Sequence, residues 1–209
     1  KLFKTSHKIA KGLITLHQLN GKVYFEFPIF LFNKEMLIGS TVTKISDNGN
    51  AIVGSKPTSP LHITFTKNKT NVQLREVNTE YLPGGTASDK ALQDNMQSAI
   101  LVNEKILAYN EDSTAVVFDM TKFFVSDNKK MTPFDSSSLY GQYKRTENFK
   151  GDCSFLSDIK AFSDNISIKS TLSYTFSLSS GSGAPLIKDQ PFTAEMTRSI
   201  MLLKDKPYT

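Results

Sequence analysis

The sequence contains no tryptophan, a single cysteine and three histidines among 209 residues. A lone Cys153 excludes an internal disulfide and leaves the redox compartment open. His7, His17 and His62 stand far apart and none is followed by glutamate, so the H-E-x-x-H spacing that brings two imidazoles to one zinc ion is missing. Arginine is equally scarce. Arg75, Arg145 and Arg198 are the whole supply, and the net charge of +5 is carried by lysines scattered among acids, with no run longer than Lys129 and Lys130. That footprint excludes the arginine-rich base readout of nucleic-acid binders. No apolar run approaches the ~20 residues of a membrane span. The G-x-S-x-G, G-x-x-x-x-G-K-[ST] and G-x-G-x-x-G signatures are absent too, and Gly181, Ser182 and Gly183 lead into Ala184 and Pro185 rather than a helix. Cys153 reads as an inert thiol, and His17 and His62 as ordinary strand residues. No catalytic or metal-ligating residue is named.

What is abundant is phenylalanine: 15 Phe and 7 Tyr in a chain with 39% hydrophobic residues favour a core of packed strands. Apolar runs at Ile106–Tyr109 and Ala115–Phe118, separated by five polar residues, predict a hairpin at the centre of the fold. Asn20 and Gly21 predict a tight type I′ turn between Leu13–Leu16 and Val23–Phe27, because both turn positions need positive φ. Pro28 stops the second strand. A short helical turn at Ile29–Lys34, a strand at Met36–Ile45 and a hairpin pairing Leu61–Phe65 with Val72–Val77 follow. Ser88 as N-cap, with Leu92, Met96, Ala99 and Ile100 at helical spacing, predicts one main helix over Ser88–Val102. Ser126–Ser138 reads as a surface excursion and marks a sub-boundary. Alternating runs then continue from Leu139 to Leu203. The expected fold class is α+β: predominantly antiparallel hairpins, with that one helix packed on the sheet, in a single β-rich domain over residues 1–209. For ligand contact the candidates are the aromatics Tyr140, Tyr143 and Phe149 beside Arg145, a group suited to a glycan or a peptide.

Four stretches carry a family likeness. GLITLHQLNGKVYFEFP (Gly12–Pro28), YNEDSTAVVFDMTKFF (Tyr109–Phe124), SFLSDIKAFSDNISIKSTLSYTF (Ser154–Phe176) and TRSIMLLKDKP (Thr197–Pro207) resemble, in the same order, segments of the large zinc-dependent metallopeptidases of Bacteroidota. In those proteins such a region follows an export signal and precedes a zincin-type catalytic domain. The resemblance implies a non-catalytic accessory domain whose partner is the downstream catalytic domain of the same polypeptide. It implies no cofactor in this chain, with zinc in the following domain, and an exported parent that is periplasmic, surface-attached or secreted. The start at Lys1, without signal-peptide character, reads as an excised or processed form.

Overall fold

The structure is a computed structural model and describes residues 2–3, 5–78, 98–135 and 143–203. Its local geometry begins where the sequence is most explicit. Asn20 and Gly21 adopt φ of 51° and 75° and close a two-residue turn between β2 (Thr15–Leu19) and β3 (Lys22–Pro28), with Leu19 opposite Lys22. Added to β1 (Lys8–Ala10), β8 (Ala108–Tyr109) and β9 (Ala115–Asp119), they form a five-stranded antiparallel sheet in the order β1-β2-β3-β9-β8. The expected hairpin pairs Ala108 with Val117. Its second strand is interior, with Ala115 to Phe118 all buried, whereas its first is an edge.

The second sheet has seven strands. It runs β10-β11-β12-β4-β5-β6-β7, built from β4 (Glu35–Ile45), β5 (Leu61–Lys67), β6 (Asn71–Glu76), β7 (Ala99–Lys105), β10 (Tyr143–Ala161), β11 (Asn165–Ser180) and β12 (Pro185–Leu202). Strict alternation of buried and half-buried residues from Ile166 to Phe176 places one face of β11 on the core.

The α+β expectation is overturned, because the fold is antiparallel β and, among the described residues, its α-helix is the single turn α1 (Thr121–Phe124). Of the helix expected over Ser88–Val102, residues 88–97 lie outside the described residues. Residues 99–102 belong to β7, where Ala99 faces Glu76 and Val102 faces Leu74. The open edge of β6 offers those backbone groups hydrogen-bond partners, and a short run containing Ile100 and Val102 satisfies strand and helix spacing alike. Tertiary pairing therefore decides. The expected surface excursion also differs: a 3-10 turn at Lys129–Met131 turns Met131 inward, and Phe134 follows it, so both are buried.

A phenylalanine cluster joins the sheets. Phe65 of β5 lies 6.5 Å from Phe25 and 4.7 Å from Phe27 of β3, and 6.2 Å from Phe118 of β9, ring centre to ring centre. A second cluster, containing Val42, Phe134, Tyr174 and Phe192, lies under the far half of the long strands. At one corner the backbones themselves meet: the Leu13 N–H donates to the Phe162 carbonyl at 2.6 Å. A Cβ on Gly12 would lie 2.3 Å from that same oxygen, so only glycine allows the approach. Lys8 adds an ion pair to Asp158 of β10. Partial burial alone would raise the Asp158 carboxyl. Lys8, the Ile159 N–H and Lys160 outweigh it and hold the group below its ordinary range.

Candidate functional site

The residues proposed for ligand contact are divided by the fold. Tyr140 lies outside the described residues. Tyr143 opens β10 and is exposed. Arg145 is turned inward: its side chain is 5% exposed, Nε donates to Glu147 at 2.8 Å, a terminal nitrogen donates to the Asp135 carbonyl at 3.2 Å, and the guanidinium lies 4.6 Å from the centre of the Phe134 ring. Phe149 packs edge-on against Tyr174 at 5.4 Å. Two of the four therefore meet around the second core cluster rather than on an open surface.

Beneath them lies a polar group that the sequence did not single out. Arg198 of β12 is 1% exposed. One terminal nitrogen donates to Ser170 Oγ and, at 3.5 Å, to the Phe124 carbonyl at the end of α1; the other donates to the Met131 carbonyl at 3.2 Å. Ser170 Oγ donates in turn to the Phe124 carbonyl at 2.8 Å. Among the described residues no carboxylate forms an ion pair with this guanidinium, and its Nε has no hydrogen-bond partner. Burial lowers its pKa to about 10, with Tyr174 opposing, so it stays charged at neutrality. The chemistry is that of a clamp, in which a buried cation holds two carbonyls of the Phe124–Met131 segment against β11 and β12.

Tyr174 Oη is likewise buried without a hydrogen-bond partner among the described residues. Burial first, then Asp127 and Glu147, push its phenol well above the ordinary range, against the opposing pull of Arg198. Removing an unsatisfied hydroxyl costs nothing in hydrogen bonding, so Tyr174→Phe is expected to leave stability at pH 7 unchanged or raise it by up to about 1 kcal/mol. Above pH ~10 an unfolded tyrosine loses its proton while the folded Tyr174 keeps it, so this group makes stability fall as pH rises. Urea melts at pH 7 and above pH ~10 should show that this share of the alkaline loss disappears in Tyr174→Phe.

Two of the surface cavities lined by described residues differ in size. The larger, about 610 Å³, lies between the edge strand β7 and the α1 region, lined by Val102, Glu104, Lys122, Phe123, Asp127 and Lys130 among others. Burial, then Asp119, raise the Glu104 carboxyl, while Lys122 opposes them. Two of its three lysines are matched: Lys130 reaches both Glu76 oxygens at 2.7 and 2.6 Å, and Lys129 reaches Asp127 at 3.0 Å. The cleft therefore presents charges of both signs beside the apolar Leu101, Val102 and Phe123.

The smaller cavity, about 290 Å³, is lined by Leu2, Phe3, Glu26, Tyr109 and Glu111 among others. Beside it lies a histidine pair. His17, 6% exposed, has Nε2 at 2.8 Å from Glu26 Oε2 and Nδ1 at 2.9 Å from His7 Nε2. His7 Nδ1 lies 2.9 Å from the Thr5 carbonyl. Phe3 stacks on His17 at 4.3 Å and 19°. The link from His17 to Glu26 was within reach of the sequence: the Asn20-Gly21 turn fixes the register, which makes the two residues diagonal neighbours on one face. His62 and Glu35 repeat that diagonal arrangement on β5 and β4, at 2.9 Å. Docking of His7, by contrast, has no local signal. Cys153 is exposed within β10, at an irregularity between Lys150 and Phe155, rather than at a strand start. Among the described residues no group of three or more histidine, cysteine or acidic side chains could hold a metal ion. No helix among them is long and apolar enough to cross a membrane.

Residues 54–209 match the family described as Domain of unknown function (DUF5117), and residues 1–45 match Domain of unknown function (DUF5118). No curated protein and no solved structure matches the chain. The two matched segments are not separate bodies. Strand β4, from the first, pairs on one side with β12 and on the other with β5, both from the second.

Proposed function

Because this chain belongs to the DUF5117 family, with a DUF5118 segment woven into the same sheet, we propose that it is the non-catalytic accessory region of an exported zinc-dependent metallopeptidase. In this reading it assists the folding, latency or substrate access of a catalytic domain that follows it. The observation that carries the proposal is the collinear resemblance of four stretches, Gly12–Pro28, Tyr109–Phe124, Ser154–Phe176 and Thr197–Pro207. Zinc, in this reading, is held by the following domain, and the parent works in the periplasm, at the cell surface or outside the cell.

An exposed apolar surface near Leu203 supports this reading. Strand β12 delivers the chain at Leu203, whose N–H donates to the Glu35 carbonyl at 3.0 Å, while the Leu202 N–H donates to the Asp164 carbonyl. Phe162 and Met201, near that point, are 49% and 43% exposed. A tethered domain would meet this apolar pair first, and apolar surface beside a tether favours docking. The alternative, a glycan- or peptide-binding module, retains Tyr143 as the exposed member of its described candidates.

The test compares the full gene product with the 209-residue chain. Near one equivalent of zinc in the full protein and none in this chain is the expected result of elemental analysis. Replacing Phe162 and Met201 by serine in the full protein should then speed proteolysis near residue 203 without changing zinc content. A full product free of zinc would sink the proposal.

A further inference from the structure

The hydrogen bonds around His7 and His17 require more protons than two neutral imidazoles possess. The Glu26 carboxylate can only accept, so His17 Nε2, at 2.8 Å, must carry a hydrogen. The Thr5 carbonyl can only accept, so His7 Nδ1, at 2.9 Å, must carry another. A neutral imidazole has one N–H, and these two bonds use both. Yet His17 Nδ1 and His7 Nε2 still face each other at 2.9 Å, where two lone pairs would repel. One additional proton between them resolves the conflict.

We propose that His7 and His17 share one proton as a histidine–histidinium pair, countered by Glu26, and that this pair is a pH-sensitive clasp fastening the N-terminal arm to the five-stranded sheet. The arm is otherwise held weakly. Thr5 and Ser6 are exposed, and β1 is a three-residue edge strand. Its remaining anchors are Phe3, stacked on His17 and edge-on to Tyr24 at 5.6 Å, and the exposed pair of Lys8 with Asp158. The charged and titratable groups on the face of the pair are Tyr24, Glu26 and Lys22 on β3, Asp119 on β9 and, across the small cavity, Tyr109 and Glu111. Lys22, on that face, is occupied by Asp119 at 3.2 Å, so the acids Glu26 and Glu111 favour a cation at the pair.

The sign follows from counting protons. The docked arm binds one more proton than two neutral imidazoles, so docking weakens as pH rises and that proton is lost. It binds one fewer than two imidazoliums, so docking also weakens as pH falls and a second proton sets like charges side by side. Arm docking therefore passes through a maximum. Release on either side removes the Leu2 and Phe3 wall of the small cavity and uncovers Glu26 and the edge strand β8.

The test is amide hydrogen exchange of residues 3 and 5–10, with imidazole ¹⁵N spectra, from about pH 5 to about pH 8 in the presence of EDTA. Protection in the arm should peak within that window and fall about tenfold towards each end, as expected for loss of one charge-assisted hydrogen bond. At the maximum, the spectra should show a single imidazolium shared by His7 and His17. His7→Gln, altered in the arm rather than the core, should flatten the profile while core protection stays unchanged. His62, whose ring bonds to Glu35 and to no second histidine among the described residues, serves as the internal control. Arm protection that is flat in wild type, a profile unchanged in His7→Gln, or docking lost on adding EDTA would each overturn the proposal, the last in favour of a metal ion between the rings.

Discussion

Arg198→Met should lower the free energy of unfolding by about 2 kcal/mol, measured by urea denaturation at neutral pH. Two effects compete. Methionine spares the fold the desolvation of a cation that has no carboxylate partner, which by itself favours the variant. It also leaves the buried Met131 carbonyl without the guanidinium donor that now reaches it, and the Phe124 carbonyl with Ser170 Oγ alone, in a region where Ser170 is 0% exposed. Each unpaired buried acceptor costs about 1–3 kcal/mol, and Ser170 Oγ can still serve only the Phe124 carbonyl. The unpaired Met131 carbonyl therefore outweighs the spared charge. Damage should appear first around residues 121–134, as faster proteolysis there than elsewhere. A variant as stable as wild type would mean that the guanidinium costs as much as its bonds return.

The largest apolar effect is expected at Phe65. Its ring is fully buried and touches Phe25, Phe27 and Phe118 across the gap between the sheets. Phe65→Ala should destabilise by about 4 kcal/mol, through lost transfer energy and the cavity left between two sheets that cannot close over it. Phe65→Leu, which keeps most of the volume, should cost about 1 kcal/mol. Phe30, 71% exposed on the 3-10 turn, supplies the control: Phe30→Ala should change the melting midpoint little. A small loss for Phe65→Ala would show that the sheets move independently of this cluster.

How much the sequence disclosed depended on whether the deciding interaction was local. Asn20 and Gly21 disclosed their turn because positive φ is a property of two residues. The alternation in β11 disclosed its buried face because period two is set by the strand itself. The helix expected up to Val102 failed because the edge of β6, more than 20 positions earlier, decides the state of residues 99–102. The burial of Met131 and Phe134 inside a polar stretch was hidden for the same reason. Of the candidate site, Arg145 and Phe149 were read as exposed ligand contacts, and the sequence could not say that Phe134 and Tyr174 would draw them inward. Arg198 gave no local sign, since its acceptors lie 67 and 74 positions away in the chain.

The position of β4 sets a timetable for synthesis. One edge of that strand finds β5 soon after both are made, but its other edge belongs to β12, the last strand of the described chain. Roughly 140 residues must be added between them, which at typical elongation rates takes about 7–28 s. Throughout that interval the nascent chain carries an unpaired eleven-residue edge with Ile38 and Val42 on its inward face. An emerging chain in that state is a substrate for chaperones and a template for wrong pairing. A ribosome stalled short of Pro185 should therefore display a protease-sensitive β4, and one carried past Leu202 a protected one.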